Sequence, residues 1–188
     1  MKVLNPNYYN KKYLVSVIMN CYNGSEYLKQ AIDSVIDQTY TNWEIIFWDN
    51  QSTDKSSQIF NSYKDPRLKY FYAPKHTTLG LARKLALEKA EGDFCGILDC
   101  DDIWLPQKIM LQLYQKPIDK KVGVIYSDYN IISSDATLKR KSLRPLKLFK
   151  GNIFNSLFIE EITICWPTVL FNKKALIDVG SFSDYKYL

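Results

Sequence analysis

Three carboxylates follow an apolar run in the segment GILDCDD, residues 96–102. Asp99 and Asp101 are separated by one residue, and alternate side chains of an extended chain point to the same side. Two carboxylates that converge on one point repel each other, and a divalent cation neutralises that repulsion. Hard oxygen ligands suit Mg²⁺ or Mn²⁺, which commonly complete their coordination with substrate phosphates, so the spacing predicts a metal site. We assign Asp102 to the cap of the following helix.

Two other apolar runs in the sequence also end in polar residues. The run YLVSVIMN, residues 13–20, leads into CYN, and the run NWEIIFW, residues 42–48, leads into DNQS. Ligands of open parallel sheets bind beyond the carboxyl ends of the strands. Any one of these polar groups alone would be explained by a helix cap, but three of them at one edge predict a binding site.

These runs belong to a regular alternation of short β-branched segments and amphipathic segments, which predicts an α/β fold with a mostly parallel central sheet flanked by helices. Asn23 or Ser25 is expected to cap the first helix, and Pro106 to lie in the first turn of the fourth. After residue 130 the pattern loosens into a helix, a strand and a short helix with a turn. The predicted strands cover residues 13–20, 42–48, 67–72, 92–98, 121–129 and 168–172, and the predicted helices cover 26–36, 56–63, 79–90, 105–114, 151–161 and 173–182.

Composition limits the class of protein. The chain has 188 residues, 46% of them hydrophobic, which fits one folded domain and excludes a disordered chain. No apolar run reaches the roughly 20 residues that span a bilayer, and no signal peptide is visible, so a cytoplasmic protein is expected. The four cysteines form no C-x-x-C pair and are expected to be reduced thiols. The single histidine, His76, is expected to be a loop residue or at most a contact of the predicted binding site.

Charge is concentrated in one segment. The net charge is +5, and residues 137–150 contain six basic residues and no acid, so this segment accounts for the whole positive excess. The basic residues suit a solvated surface, an anionic membrane or a phosphate-bearing acceptor. A nucleic-acid site has only this charge in its favour, and no binding motif accompanies it. Glycine-rich phosphate loops of the G-x-G-x-x-G and G-x-x-x-x-G-K-[ST] types are absent from the sequence.

Long segments of the sequence resemble family 2 glycosyltransferases, which have the Rossmann-like GT-A fold. The resemblance is carried by VSVIMNCYNGSEYLKQAIDSVIDQTYTNWEIIFWDNQSTDKS, by LGLARKLALEKAEGDFCGILDCDDIWLPQKI and, more loosely, by WPTVLFNKKALIDVGSF. It covers about residues 13–182. It implies a single domain over residues 1–188, in which residues 13–130 bind a nucleotide sugar and residues 131–188 begin an acceptor half that is truncated at its C-terminal end.

The resemblance also implies roles for individual residues. Tyr22 would lie against the nucleotide base, and Asp49 would accept a hydrogen bond from it, typically from a uracil N–H. Arg83 would face the nucleotide side of the pocket. Asp99 would hold the ribose or the water shell of the metal, and Asp101 would ligate the Mn²⁺ or Mg²⁺ on the diphosphate.

One departure from the family pattern lies at the end of the first strand. Family members often have Pro-Thr or Thr-Ser where this chain has Asn20-Cys21. Because an asparagine amide both donates and accepts hydrogen bonds, Asn20 is expected to keep a role in donor binding.

The function implied is metal-dependent, inverting transfer of a sugar from a nucleoside diphosphate sugar, with UDP as the expected nucleotide, to a saccharide or lipid-linked acceptor in cell-envelope polysaccharide synthesis. The general base of the family would be expected just beyond Leu188. Glu160 and Glu161 precede the WPT segment and so stand in the wrong order, and Asp184 matches the position before the base. A peripheral contact with the inner face of the membrane is expected through Lys139–Lys150. Nucleic acid is not an expected partner, and the sequence leaves homo-oligomer formation open.

Two further alternatives remain open from the sequence. A sugar nucleotidyltransferase also combines an α/β sheet with Mg²⁺, but it normally has a glycine-rich basic loop where this chain has CYNGSEYL. A non-catalytic nucleotide-binding module, or a remnant of an enzyme, would keep the donor pocket without a base.

Overall fold

A computed structural model of the chain describes residues 13–114, 122–134, 137–141, 151–153, 155–156 and 164–182. One six-stranded sheet organises this part of the chain, and a separate two-stranded ribbon lies outside it. The strands are β1 (Val15–Cys21), β2 (Trp43–Asp49), β3 (Leu68–Tyr72), β4 (Phe94–Ile97), β5 (Val124–Tyr126), β6 (Asn130–Ile132), β7 (Leu138–Lys141) and β8 (Val169–Asn172). The helices are α1 (Leu28–Ile36), α2 (Ser56–Asn61), α3 (Leu79–Leu87), α4 (Lys108–Leu113) and α5 (Lys173–Asp178).

The six strands of the main sheet are arranged in the order β3-β2-β1-β4-β8-β5. Neighbouring strands from β3 to β4 run parallel, whereas β8 runs antiparallel to both β4 and β5. The predicted α/β fold with a mostly parallel sheet flanked by helices is therefore confirmed. Because β8 lies between β4 and β5, residues from both sides of position 130 share one sheet.

Helices cover both faces of the sheet because the central strands alternate apolar side chains between the two faces. Val17 of β1 and Ile45 of β2 pack with α1, α2 and α4. Ile18 and Ile46, one residue further along each strand, pack with α3 and α5. Strands that bury side chains on both faces require apolar residues at nearly every position, which is the pattern found in β1 and β2.

Several local predictions were wrong. Neither Asn23 nor Ser25 caps α1, which begins after Tyr27 without a side-chain cap. Asp102 does not cap a helix either, because α4 begins only at Lys108, and Pro106 lies in the turn before it. The ribbon formed by β6 and β7 was not predicted, and the predicted helix at 151–161 lies largely outside the described residues. In the described part of the chain, no helix has the length and apolar character needed to cross a membrane.

Candidate functional site

The ends of three neighbouring strands bring the predicted polar groups to one edge of the sheet. β1 lies between β2 and β4, and all three run in the same direction. The chain passes from β1 to β2 and β3 on one side, and later to β4 on the other side. A crevice forms at the carboxyl ends of strands where the order reverses in this way. Here that position lies between the ends of β1 and β4.

Arg83 and Asp99 are paired at this position, and Asn20 is the penultimate residue of the neighbouring strand β1. The pairing of β1 with β4 ends at Ile18 opposite Ile97, two residues before Asn20 and Asp99. A guanidinium nitrogen of Arg83, on α3, lies 2.9 Å from the Asp99 carboxylate. Both polar atoms of the Asn20 side chain, and Nε of Arg83, are buried without a hydrogen-bond partner among the described residues. Buried polar groups are normally paired, so these atoms are candidates to bind a ligand or water.

Trp166 is a site residue that the sequence reasoning missed. Its indole ring lies 5.1 Å from the Arg83 guanidinium and remains 45% exposed. The backbone of the turn that carries it, Trp166–Thr168, is held by side chains of the α4 region: Trp104 donates to the carbonyl of Pro167 and Gln112 to that of Thr168. Only the tertiary fold brings this late segment to the end of β4, although its WPT sequence was part of the family resemblance.

Asp101 lies on the solvent side of the same loop. It is exposed and lines a cleft of about 210 Å³ between the start of α1 and the β6–β7 ribbon, together with Tyr27, Gln30 and Asp102. Burial, followed by the charges of Asp101 and Asp99, raises the pKa of Asp102 to about 6. This concentration of negative charge would be relieved by a cation.

The donor set around Asp99 and Asp101 fits a divalent cation that takes further ligands from a bound phosphate. Carboxylate oxygens are the ligands that Mg²⁺ and Mn²⁺ prefer. In the described part of the chain, no group of three or more histidine, cysteine, aspartate or glutamate side chains is arranged to hold a metal. Asp99 is also engaged with Arg83. A cation at Asp101 would therefore depend on oxygen ligands that the donor brings.

Tyr22 and His76 form an aromatic pair at the rim. Their ring centroids are 4.4 Å apart with an interplanar angle of 61°, and Tyr22 is 56% exposed. Nδ1 of His76 lies 2.8 Å from the carbonyl oxygen of Asn50, which fixes the imidazole against the loop after β2. The exposed ring of Tyr22 is available to a planar ligand, and His76 lies beside it in the loop before α3.

Asp49 occupies a different environment from the other acidic residues. Its carboxylate is fully buried, with one oxygen accepting from the backbone N–H of Ser52 at 2.7 Å and the other from the hydroxyl of Tyr70 at 2.7 Å. Asp49 therefore shapes the turn that follows β2. A direct hydrogen bond to a base would require one of these bonds to open, and that contact stays a prediction.

Two loops behind Tyr22 are joined by hydrogen bonds that the sequence reasoning did not foresee. The Asn23 side chain accepts from the N–H of Thr53, and the Asp54 carboxylate accepts from the N–H of Ser25. Asn23 has φ 55°, a left-handed conformation that asparagine tolerates better than most residues. Asn23 and Ser25 therefore take part in contacts between the loops after β1 and β2 instead of capping α1. These contacts fix the position of Tyr22.

Several predicted groups cannot be placed. Glu160, Glu161, Asp184 and residues 142–150 of the basic segment lie outside the described residues. Lys139 lies on β7 and is exposed. Near it, the ribbon exposes three aliphatic side chains: Ile131, Ile132 and Leu138.

Comparison with known proteins identifies one family. The model of the family described as Glycosyl transferase family 2 matches residues 16–180. A UDP-Glc:alpha-D-GlcNAc-diphosphoundecaprenol beta-1,3-glucosyltransferase, WfgD of Escherichia coli, is 31% identical over 160 residues, which are 85% of this chain and 62% of that protein. The putative teichuronic acid biosynthesis glycosyltransferase TuaG of Bacillus subtilis is 34% identical over 130 residues, 68% of this chain and 51% of that protein. The chain thus spans about half to three fifths of the length of these relatives.

Solved structures share the fold. A mannosyltransferase from Pyrobaculum calidifontis in complex with GDP-Man and Mn²⁺ superposes with a TM-score of 0.68 at 19% identity, covering 95% of this chain and 53% of that one. TarS of S. aureus in complex with UDP-GlcNAc gives a TM-score of 0.59 at 20% identity, covering 89% and 48%. At these identities the likeness establishes the fold alone.

Proposed function

The chain belongs to glycosyltransferase family 2, and on that premise we propose that it transfers a sugar from a nucleoside diphosphate sugar to a hydroxyl group of a saccharide or lipid-linked acceptor. Its fold is the GT-A fold expected from the sequence. Residues 13–130 supply most of the donor site, and Trp166 adds a contact from the later part of the chain.

The observation that carries the proposal is the group formed by Asn20, Arg83 and Asp99 at the reversal of strand order. The Asn20 amide has both of its polar atoms buried and unpaired, and Arg83 has an unpaired Nε. A ribose or diphosphate presents the donors and acceptors that these atoms lack. If the polar residues at these strand ends served only to cap helices, the buried polar atoms of Asn20 and Arg83 would have hydrogen-bond partners within the protein.

Each residue has a distinct task in the proposed reaction. The Tyr22 ring supports the base, and Asn20 and Asp99 hold the ribose or phosphate side of the donor. Arg83 balances the charge of Asp99 and keeps its carboxylate in position. Asp101, assisted by Asp99, would hold Mn²⁺ or Mg²⁺, which when bound supplies positive charge to the diphosphate leaving group.

The sugar end requires a separate group. Inversion follows when an acceptor hydroxyl, deprotonated by a carboxylate, attacks the anomeric carbon opposite the leaving group. Glu160, Glu161 and Asp184 are outside the described residues, and we assign the role of general base to none of them. A non-catalytic nucleotide-binding module therefore remains the alternative function, and family membership favours either over a sugar nucleotidyltransferase.

UDP is the proposed nucleotide. The E. coli relative is named for UDP-Glc, and one structural neighbour is in complex with UDP-GlcNAc. Another neighbour is in complex with GDP-Man, so the affinities for UDP and GDP are the quantities to compare. Parallel calorimetric titrations with UDP and GDP would decide, and tighter binding of GDP would overturn the choice.

A lipid-linked acceptor at an anionic membrane surface is the proposed setting. The name of the E. coli relative includes a diphosphoundecaprenol acceptor, a lipid diphosphate. In this chain the ribbon next to Asp101 exposes Ile131, Ile132 and Leu138 beside Lys139, a combination of apolar and basic side chains that suits a membrane interface. Co-sedimentation with liposomes containing anionic lipid should exceed that with neutral liposomes, and equal binding to both would contradict the proposal.

The decisive experiment is titration of the chain with UDP in the presence and absence of Mn²⁺. Mn²⁺ should tighten UDP binding, and Asp101→Asn should remove most of that gain. Asp102→Asn is the matched control, since Asp102 is adjacent and acidic but is assigned no ligand role. Absence of any UDP binding, or an Asp101→Asn variant that keeps the full effect of Mn²⁺, would refute the donor site. Release of UDP from a UDP sugar with acceptor present would separate an enzyme from a binding module.

A further inference from the structure

Cys21 and Cys100 lie side by side at the ends of β1 and β4. The pairing of β1 with β4 ends at Ile18 opposite Ile97, Cys21 is the last residue of β1, and Cys100 lies in the turn three residues after the end of β4. The Cys100 sulfur lies 3.4 Å from the carbonyl oxygen of Asn20, the residue before Cys21.

Gly24 packs directly against this pair of sulfurs. A Cβ atom at Gly24 would lie 2.9 Å from Cβ of Cys100, 3.1 Å from Sγ of Cys21 and 3.3 Å from Sγ of Cys100. The turn after β1 can therefore close over the pair only because residue 24 has no side chain. Cys21 is buried beneath this turn, and Cys100 is half-buried.

The other two cysteines have different surroundings. Cys95 faces the opposite side of the sheet among apolar residues, and burial raises its pKa to about 12. Cys165 precedes the turn that carries Trp166 and is half-buried. Both serve as internal comparisons, because all four cysteines are free thiols.

We propose that Cys21 and Cys100 are a site of reversible oxidation, at which a hydroperoxide converts the two thiols to a disulfide that closes the donor site. The Cys21 thiolate attacks the peroxide, the O–O bond breaks, and a sulfenic acid and one water or alcohol are formed. The Cys100 sulfur then attacks the sulfenic sulfur, the S–S bond forms, and water leaves with the remaining thiol proton. The peroxide is reduced by two electrons, and the two thiols are oxidised by two.

The environment of Cys21 supports it as the attacking sulfur. The hydrogen bond from Cys100 stabilises the Cys21 thiolate, whereas burial opposes its ionisation. Hydrogen bonds from Ser56, the Gly24 backbone and Ser52 stabilise the thiolate further, and the net result is that the pKa of Cys21 is lowered to about 7. A thiolate is the nucleophile in such reactions, and its neighbour is already in position as the resolving thiol.

The consequence for donor binding rests on the proposed function of the same edge. Cys100 is the residue between Asp99 and Asp101, and Cys21 is the residue between Asn20 and Tyr22. A covalent bond joins the centres of these two segments, so the carboxylates and the tyrosine ring can no longer adjust their relative positions to a bound donor. We expect oxidation to weaken UDP binding about tenfold or more and, by linkage, bound UDP to oppose oxidation by the same factor.

The first test identifies the bond without reference to donor binding. The full chain is treated with hydrogen peroxide, remaining thiols are alkylated, and the unreduced digest is analysed by mass spectrometry. A linked pair of peptides containing Cys21 and Cys100, which dithiothreitol separates, is the expected result. The link should persist in Cys95→Ser and Cys165→Ser and be lost in Cys100→Ser. Free thiols at Cys21 and Cys100 under conditions that oxidise Cys165, or oxidation of Cys21 to a sulfinic acid without a link, would overturn the proposal.

The second test measures UDP affinity before oxidation, after oxidation and after reduction. In the unmodified chain, UDP affinity should fall on oxidation and recover with dithiothreitol. In Cys100→Ser, UDP affinity should be the same before and after the same treatment. A complete disulfide with unchanged UDP affinity would refute closure of the site. Failure of the reduced chain to bind UDP would instead count against the proposed function, and peptide mapping would still decide whether the bond forms.

Discussion

Arg83 and Asp99 form an ion pair, 2.9 Å between nitrogen and oxygen, that joins the middle of α3 to the end of β4. The Arg83 side chain is 9% exposed and that of Asp99 is 35% exposed, so the pair is buried at its base and open at the carboxylate. Arginine is suited to this role because its guanidinium holds an ion pair with one edge and packs an aromatic ring with its face.

Removing Arg83 should lower the stability of the fold. Arg83→Ala leaves Asp99 without its cation, and we expect a loss of about 2 kcal/mol in the free energy of unfolding, less than for fully buried pairs because Asp99 is partly solvated. Urea denaturation measures this, with Lys84→Ala, on the exposed face of α3, as the control. In a double-mutant cycle, Asp99→Ala combined with Arg83→Ala should cost less than the sum of the single changes. Additive costs would mean that the pair contributes no coupling.

The ring of Tyr22 should account for a measurable part of nucleotide affinity. Stacking of a base on an aromatic side chain contributes about 1–3 kcal/mol, so Tyr22→Ala should weaken UDP binding about fivefold or more in calorimetric titration. Tyr22→Phe, which keeps the ring and loses the hydroxyl, is the matched control and should bind nearly as well as the unmodified chain. Equal weakening in both variants would indicate a hydrogen bond from the hydroxyl rather than stacking.

Glu44 should make the stability of the protein depend on acidic pH. Burial acts to raise the pKa of Glu44, but hydrogen bonds from Lys69, Ser16 and the Glu91 backbone outweigh it and hold the pKa below its ordinary value of 4.5. A carboxyl group whose pKa is lower in the folded state stabilises the fold above its unfolded pKa. That contribution is lost as the pH falls through the folded pKa.

Urea unfolding at neutral pH and at several values below 4.5 measures this loss. Glu44→Gln should lower the free energy of unfolding at neutral pH and flatten its decline in acid. Glu88→Gln changes an exposed glutamate of the same charge and should leave the pH profile as it is. A Glu44→Gln profile parallel to that of the unmodified chain would rule out Glu44 as the source of the acid sensitivity.

Gly92 is expected to tolerate no side chain. Its backbone N–H donates to the Ser16 hydroxyl at 2.8 Å, and a Cβ atom there would lie 2.7 Å from the Leu14 carbonyl oxygen and from the Ser16 backbone nitrogen. Since backbone atoms cannot move aside cheaply, Gly92→Ala should cost about 2 kcal/mol of unfolding free energy. Gly123→Ala is the control, because its nearest contact would be an ordinary 3.8 Å from Ala175. Equal melting temperatures for the two variants would show that the backbone around Gly92 can yield.

Sequence patterns were sufficient for the features that depend on local periodicity. Apolar β-branched runs separated by amphipathic segments imply a parallel sheet, and a parallel sheet brings Asn20, Asp49 and Asp99 to one edge. Patterns did not distinguish an exposed acidic residue from a buried one: Asp49 and Asp101 have similar surroundings in sequence, yet one is fully buried and the other exposed. That difference comes from Tyr70 on the neighbouring strand, which a linear pattern does not reveal.

The remaining differences also arise from contacts between distant segments. Trp166 reaches the site through the packing of the turn before β8. Asn23 is predicted to be a helix cap because asparagine before a helix usually is one, but its side chain accepts from the N–H of Thr53 instead. For Asn23 a local preference was outweighed by a partner from another loop, which a single-sequence pattern does not identify.

The position of β8 has a consequence for how the protein is made. Gly96 of β4 pairs with Leu170 of β8, so one edge of β4 stays open while the intervening chain is synthesised. On the ribosome, the strand that leads into Asp99 and Asp101 is therefore exposed to incorrect pairing until Asn172 has emerged, because open strand edges readily accept other chains. A nascent chain that stalls before β8 would carry nearly all the residues proposed for donor binding, and yet β4 would lack the neighbouring strand that completes the sheet.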